Sequence, residues 1–246
     1  MELNYKKVYI VNMIVLIFLL LFSAGSVFGE TLPAWFLPLR DAVYGQTLTT
    51  EEIIPLYQET VNKAKSAFSG PALYIMLSRC ENLMGLAYRD AELKNQAASH
   101  YAEGITWAEK ALEERASAEA WQMLAENISQ SCAVLPTSYA VANGLKVERY
   151  SKNALAINSR NSAAQYLIAA RWIYAPFPLH NFRRGIEMMT AILSESDIEK
   201  DDLFRVQSAI GYAYLQQKNN TQARQWLLKS LDVYPTNKYV QSLLPK

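Results

Sequence analysis

Cysteine and histidine are nearly absent from this chain, which has two of each in 246 residues. Cys80 and Cys132 lie far apart with no CxxC pair, and neither is near His100 or His180, so no metal set can be read from spacing. The cysteines are either one disulfide of an oxidising compartment or two small buried apolar side chains. Net charge is missing too: 24 basic residues face 23 acidic ones. Without the basic footprint that nucleic-acid binders carry, those partners are excluded.

Recurrent catalytic patterns are equally lacking. There is no GxSxG elbow, no HExxH and no glycine-rich phosphate loop. Neither histidine has a sequence-local partner that would mark a nucleophile, a base or a metal ligand. The adjacent carboxylates Glu51/Glu52, Glu113/Glu114 and Asp201/Asp202 read as solvated charge at helix ends. The sequence therefore predicts a non-enzyme without a cofactor.

Long apolar runs are confined to the start. Lys6 and Lys7 precede a run from Ile10 to Phe22 broken only by Asn12, and small residues then lead to Glu30. A basic region, an apolar core and a small-residue zone are the order of an export signal over 1–29, with a retained N-terminal membrane anchor as the alternative. Both place the rest of the chain outside the cytoplasm, in a periplasm or on the outer face of the membrane. Removing 1–29 takes away Glu2, Lys6 and Lys7 and leaves the charges balanced.

The proline-aromatic segment 30–48 reads as an irregular lead-in, whose Trp35 and Phe36 pack onto the first helices. Thr49 or Thr50 is placed to cap a helix running to Lys65. From there the text is helical to the end, with Leu73, Leu77, Met84, Ala97, Tyr101, Ile105, Ala108 and Leu112 at three-and-four spacing. The fold class is all-α.

One order of residue sizes recurs. Gly85 is followed by Tyr88, Ala97, Tyr101 and Gly104, and Gly211 at the same offsets by Tyr214, Ala223, Leu227 and Ser230. Small residues admit a second helix close to the first, and the bulky ones fill the space between. With Pro235 closing the last unit, this pattern resembles the tetratricopeptide repeat family. Gln207 and Ser230 depart from it. Two degenerate units intervene, the third with Ala170 at its small position and Gly185, Met189 and Ile192 in its second helix. The resemblance implies an α-solenoid over 49–246 with helix pairs at 78–112, 118–158, 162–194 and 204–235. It also implies a protein-binding role.

Export, degenerate repeats and the stretch 145–193 make the chain similar, more loosely, to the periplasmic T component of TRAP-type transporters. That likeness implies a solute-binding protein as partner, or a small ligand and a conduit for it, and leaves oligomer formation open.

In such an array the first helices line a concave face, where Tyr74, Arg79, Asn82, Gln122 and Gln207 are expected to meet a partner. The second candidate is RWIYAPFPLHNFRRG, residues 171–185, contributing Arg171, Tyr174, Phe177, His180 and Arg183. Three residues longer than the equivalent turns and stiffened by Pro176 and Pro178, it reads as a repeat turn with Asn181 capping the next helix and as a binding edge.

Overall fold

The structure, a computed structural model, describes residues 32–194 and 198–245. The segment 1–29, expected from its sequence to be an export signal, lies outside the described residues. The chain divides into Met1–Leu32 and Pro33–Lys246, and the second of these units is described below.

Eleven helices and no strands occur among the described residues. The predicted lead-in is partly helical: α1 spans Leu37–Gly45. Pro38 sits in its first turn, where a missing N–H costs nothing, and Leu39, Ala42 and Val43 give it one buried face. Before it, Phe36 is buried and Trp35 meets Phe68 at 6.1 Å, the packing expected of both rings. Helix α2, Thr50–Ala67, starts from a capping box. Glu52 N–H donates to Thr49 Oγ1, and Thr49 N–H donates to the Glu52 carboxylate.

Four helical hairpins follow. They are α3 (Gly70–Asp90) with α4 (Lys94–Glu114), α5 (Ala118–Val134) with α6 (Thr137–Ile157), α7 (Ser162–Tyr174) with α8 (Phe182–Ile192), and α9 (Lys200–Gln216) with α10 (Asn220–Val233). A short α11, Lys238–Leu243, closes the chain. Each hairpin also packs on the next through α4·α5, α6·α7 and α8·α9. This is a tetratricopeptide-like helical repeat array. The first hairpin begins eight residues earlier than the repeat pattern indicates, because Pro71 is tolerated in the opening turn of α3. The segment between α5 and α6 is a sharp turn at Leu135 and Pro136, and most of it extends the two helices.

The small-to-large interlock is visible atom by atom. A Cβ on Gly85 would come 2.3 Å from the Tyr101 ring, and one on Gly211 would come 2.8 Å from the Leu227 side chain. Tyr101 and Leu227 are fully buried, so the glycines are what lets α4 close on α3 and α10 on α9. In the third hairpin Ile173 lies over Gly185, and Ala169 is fully buried while Ala170 is only half-buried. Gly185 is thus a small position of this hairpin, and Ala169 and Ala170 both pack in its core cluster.

The cysteines do not pair. Cys80 is buried on α3, where burial pushes its thiol up to about 12. Cys132 is half-buried on α5, packed on the Ala108, Met123 and Val147 cluster, to which Cys80 does not belong. The second sequence reading, two apolar fillers, describes them.

Candidate functional site: the face that holds helix α1

Helix α1 is in contact with both ends of the array. It packs on α2 and α3 at the start of the chain, and its C-terminal turn is held by residues about 190 positions further on. Asn237 Nδ2 donates to the Tyr44 carbonyl at 2.7 Å, and Thr236 Oγ1 donates to the Gly45 carbonyl at 2.5 Å. These are two of the carbonyls that a helix end leaves without an internal partner. Gln46, in the left-handed conformation that ends α1, accepts from Lys238 N–H and donates to Asp90 at the end of α3.

Aromatic packing fixes the same helix from the side. Tyr44 stacks on Tyr234 at 5.7 Å and meets the edge of Phe204 at 5.9 Å, while Phe204 and Tyr234 are themselves edge to face. Charge does the rest. Arg40, 5% exposed, lies 3.5 Å from Glu199 and 3.6 Å from Asp201. Asp41 accepts from Tyr234 Oη at 2.8 Å and from Lys200 Nζ at 3.0 Å. Burial works to raise the Asp41 pKa, but hydrogen bonds from Tyr234, Lys200 and Arg40 outweigh it and leave the carboxyl below its ordinary value.

Close to Tyr44, a buried ionic cluster ties α9 to α5. Arg205 Nη1 reaches Glu126 at 2.7 Å and Asp202 at 3.3 Å, and its guanidinium lies over the Tyr166 ring at 4.2 Å. Gln122 donates to the other Glu126 oxygen, and Ser162 Oγ donates to Asp202. Burial, with Asp201 next to it, pushes the Asp202 carboxyl up to about 7 against the pull of Arg205. Asp201 and Asp202 are therefore not the solvated first-turn pair that their sequence suggests. The approach of Arg40 from α1 and of Glu126 from α5 takes them out of water.

The sequence-derived candidates separate into two groups. Asn82 and Gln122 are buried and hydrogen-bonded inside the array, Asn82 to Asn127 and Gln122 to Glu126, so neither faces a partner as expected. Asn127 in turn donates to Ser78 and lies over Gly104, sealing α3 against α5. Tyr74 stacks on Trp107 of α4 at 5.6 Å, which makes it packing between the helices of a hairpin. Gln207 is half-buried with its Oε1 lacking a hydrogen bond, and Arg79 is half-buried on α3.

The second group lies at or near the α7–α8 turn. Arg171 pairs with Glu148 of α6, and Tyr174 meets Tyr212 at 5.3 Å. Phe177 is 85% exposed, His180 stacks on Phe182 at 4.4 Å, and Arg183 is exposed beside Glu187. Asn181 caps α8, accepting from Arg184 N–H at 3.1 Å, as its position predicts.

The sequence reading missed Arg40, Tyr44, Glu126, Arg205 and Tyr234. The one usable signal was the spacing of Leu39, Ala42 and Val43, which marks a helix inside the supposed lead-in. His100 is also better connected than expected. Its Nδ1 is 2.6 Å from Glu81, which accepts from Tyr57 as well, and its ring stacks on Tyr88. No group of three or more acidic, histidine or cysteine side chains suited to a metal ion occurs among the described residues. Among them, no helix is long and apolar enough to cross a membrane.

No protein-family model matches the chain. No curated protein matches it. Among solved structures, YrrB, described as a TPR protein with an unusual peptide-binding site, aligns over 85% of this chain and 97% of its own, at 12% identity and a TM-score of 0.37.

Proposed function

We propose that this chain is an exported helical-repeat scaffold that works by reversible recognition of another envelope protein, and that its concave face is the recognition surface. One observation carries the reading. That face already holds a short helix, by hydrogen bonds to the helix's terminal carbonyls, by a stacked tyrosine and by an acidic rim around an arginine. Contacts of this kind suit any short helical segment that presents an aromatic residue and a basic one. Helix α1 acts as the internal occupant that such a segment displaces.

Solute uptake is the setting we propose, with a solute-binding protein as the partner and export by the N-terminal segment. Capture from envelope extracts by the full chain tests this. Tyr44→Ala weakens the α1 contacts, so the variant is expected to retain severalfold more of the same partner than the wild type, because an occupied site lowers apparent affinity by the fraction that is open. Equal recovery by both chains would reject the concave face as the site.

A further inference from the structure

The four hairpin turns lie at one rim of the array, and two consecutive hairpins carry large apolar side chains that stay exposed, Phe177 among them beside the His180 ring at 6.1 Å. Glu148 sits nine residues before the end of α6, and Arg171, its ion-pair partner, nine residues after the start of α7. The two helices therefore run antiparallel in level. Val141 and Leu145 on α6 then fall at the height of the α7–α8 turn, which holds Phe177 and Leu179.

All four are exposed: Val141 79%, Leu145 73%, Phe177 85% and Leu179 61%. Residues 137–146 of α6 include no fully buried position, and Tyr139, Ala140 and Asn143 are its half-buried side. Val141 and Leu145 are one helical turn apart on the same side. Pro176 and Pro178 limit how far the turn that carries Phe177 can bend. Exposed apolar groups gathered at one edge mark a surface that meets something else.

The charge around them says what. Residues 137–193 hold seven basic and two acidic side chains, while the rest of the chain holds seventeen and twenty-one. Lys146, Arg183 and Arg184 flank the apolar groups, and all three are exposed. Glu187 and Glu148, the two acids of this segment, are held in ion pairs with Arg183, Arg171 and Lys152. Three of those seven basic side chains, Lys146, Arg183 and Arg184, lie where the apolar side chains project.

We infer that this rim docks on an anionic lipid surface, with Phe177, Leu179, Val141 and Leu145 entering the headgroup layer and Lys146, Arg183 and Arg184 meeting lipid phosphates. Projecting apolar tips inside a basic ring suit a bilayer interface, where apolar burial and attraction to anionic lipid add together. An acidic protein segment would satisfy the charges but needs a groove, and here the apolar side chains stand outward. This site is separate from the concave face and does not depend on it.

Amide hydrogen exchange of the full chain with vesicles tests the inference. Vesicles of phosphatidylcholine with 30 mol% phosphatidylglycerol, about that needed for a strong surface potential, should slow exchange in 138–146 and 175–184 roughly fivefold or more. Phosphatidylcholine alone should leave those segments unchanged. Any contact made by the apolar run at 10–22 is common to both vesicles, so the contrast reports the rim. The Lys146→Gln, Arg183→Gln variant should need about 30-fold more anionic lipid for the same protection, since each basic side chain near such a surface contributes about fivefold in affinity. Phe177→Ser with Leu179→Ser should lose protection while the interior of α7 exchanges as in the wild type, which excludes unfolding as the cause. Equal protection by both vesicle types, or none by either, would overturn the inference. So would protection by soluble poly-glutamate equal to that by anionic vesicles, which would assign the rim to an acidic protein.

Discussion

Arg205→Ala is expected to destabilise the array by about 3–5 kcal/mol at neutral pH, because removing one member of a buried ionic cluster leaves its partners charged and unpaired. Glu126 would lose its 2.7 Å partner, and Asp202 would lose the guanidinium that opposes its raised pKa. The loss should appear as a fall in melting temperature of roughly 6–20 °C for a domain of this size.

Its pH dependence has a definite sign. The folded-state pKa of Asp202, about 7, lies above the ordinary carboxylate value, so the folded state binds that proton more tightly than the unfolded state does. The stabilisation is complete below the unfolded pKa near 4 and is lost as pH rises through about 7. Without Arg205 the anion is harder to hold, so the cost of the substitution grows from pH 5 to pH 8. Melting curves of both chains across that range check it, and a pH-independent difference would remove Asp202 from the explanation.

The second large effect is a reversal of sign. Gly→Ala inside a helix ordinarily stabilises by about 1 kcal/mol, since alanine has the higher helix propensity. At Gly85 the added methyl would stand 2.3 Å from the Tyr101 ring, and that ring is fully buried with nowhere to retreat. Either α4 moves away from α3 or the ring leaves its rotamer. Overpacking of this kind costs typically 1–3 kcal/mol. Gly85→Ala is therefore expected to lower the melting temperature by about 2–10 °C. Gly144, on the exposed stretch of α6 with nothing within 4 Å of its Cβ position, is the internal control. Gly144→Ala should stabilise the chain slightly.

These two effects also divide what the sequence reveals from what it conceals. The glycine and tyrosine of the first hairpin are sixteen positions apart, and the pattern repeats at Gly211 and Leu227, so local spacing is enough to find the interlock and with it the fold. In the degenerate third unit Gly185 is legible by the same reasoning, with Ile173 over it, although the 175–181 turn is longer than the other hairpin turns.

The concave site is another matter. Asp201 and Asp202 look like helix-start charge until Arg40 and Glu126 are brought to them. Asp41 and Tyr234, which hold α1 in place, are 193 positions apart. No period or motif links residues at that separation, and only the packing of α1 against both the first helices and the C-terminal end makes them neighbours. Asn82 and Gln122 failed as partner-facing candidates for the same reason. Both lie on first helices, as expected, but Asn82 bonds across to Asn127 of the adjacent first helix, and Gln122 bonds within its own helix to Glu126, whose other oxygen meets Arg205 of α9. The exposed turn at 171–185 was legible because proline spacing and aromatic density are local properties.

The central claim is that the concave face is a site for a helical segment and that α1 occupies it. Titration of a labelled peptide of residues 33–46 into the full chain, read by fluorescence anisotropy, tests this most directly. The Tyr44→Ala chain, whose own α1 is loosened, should bind the peptide saturably, and the wild-type chain should bind it at least about tenfold more weakly because its site is filled. Equal binding to the two chains, or none to the variant, would contradict the account.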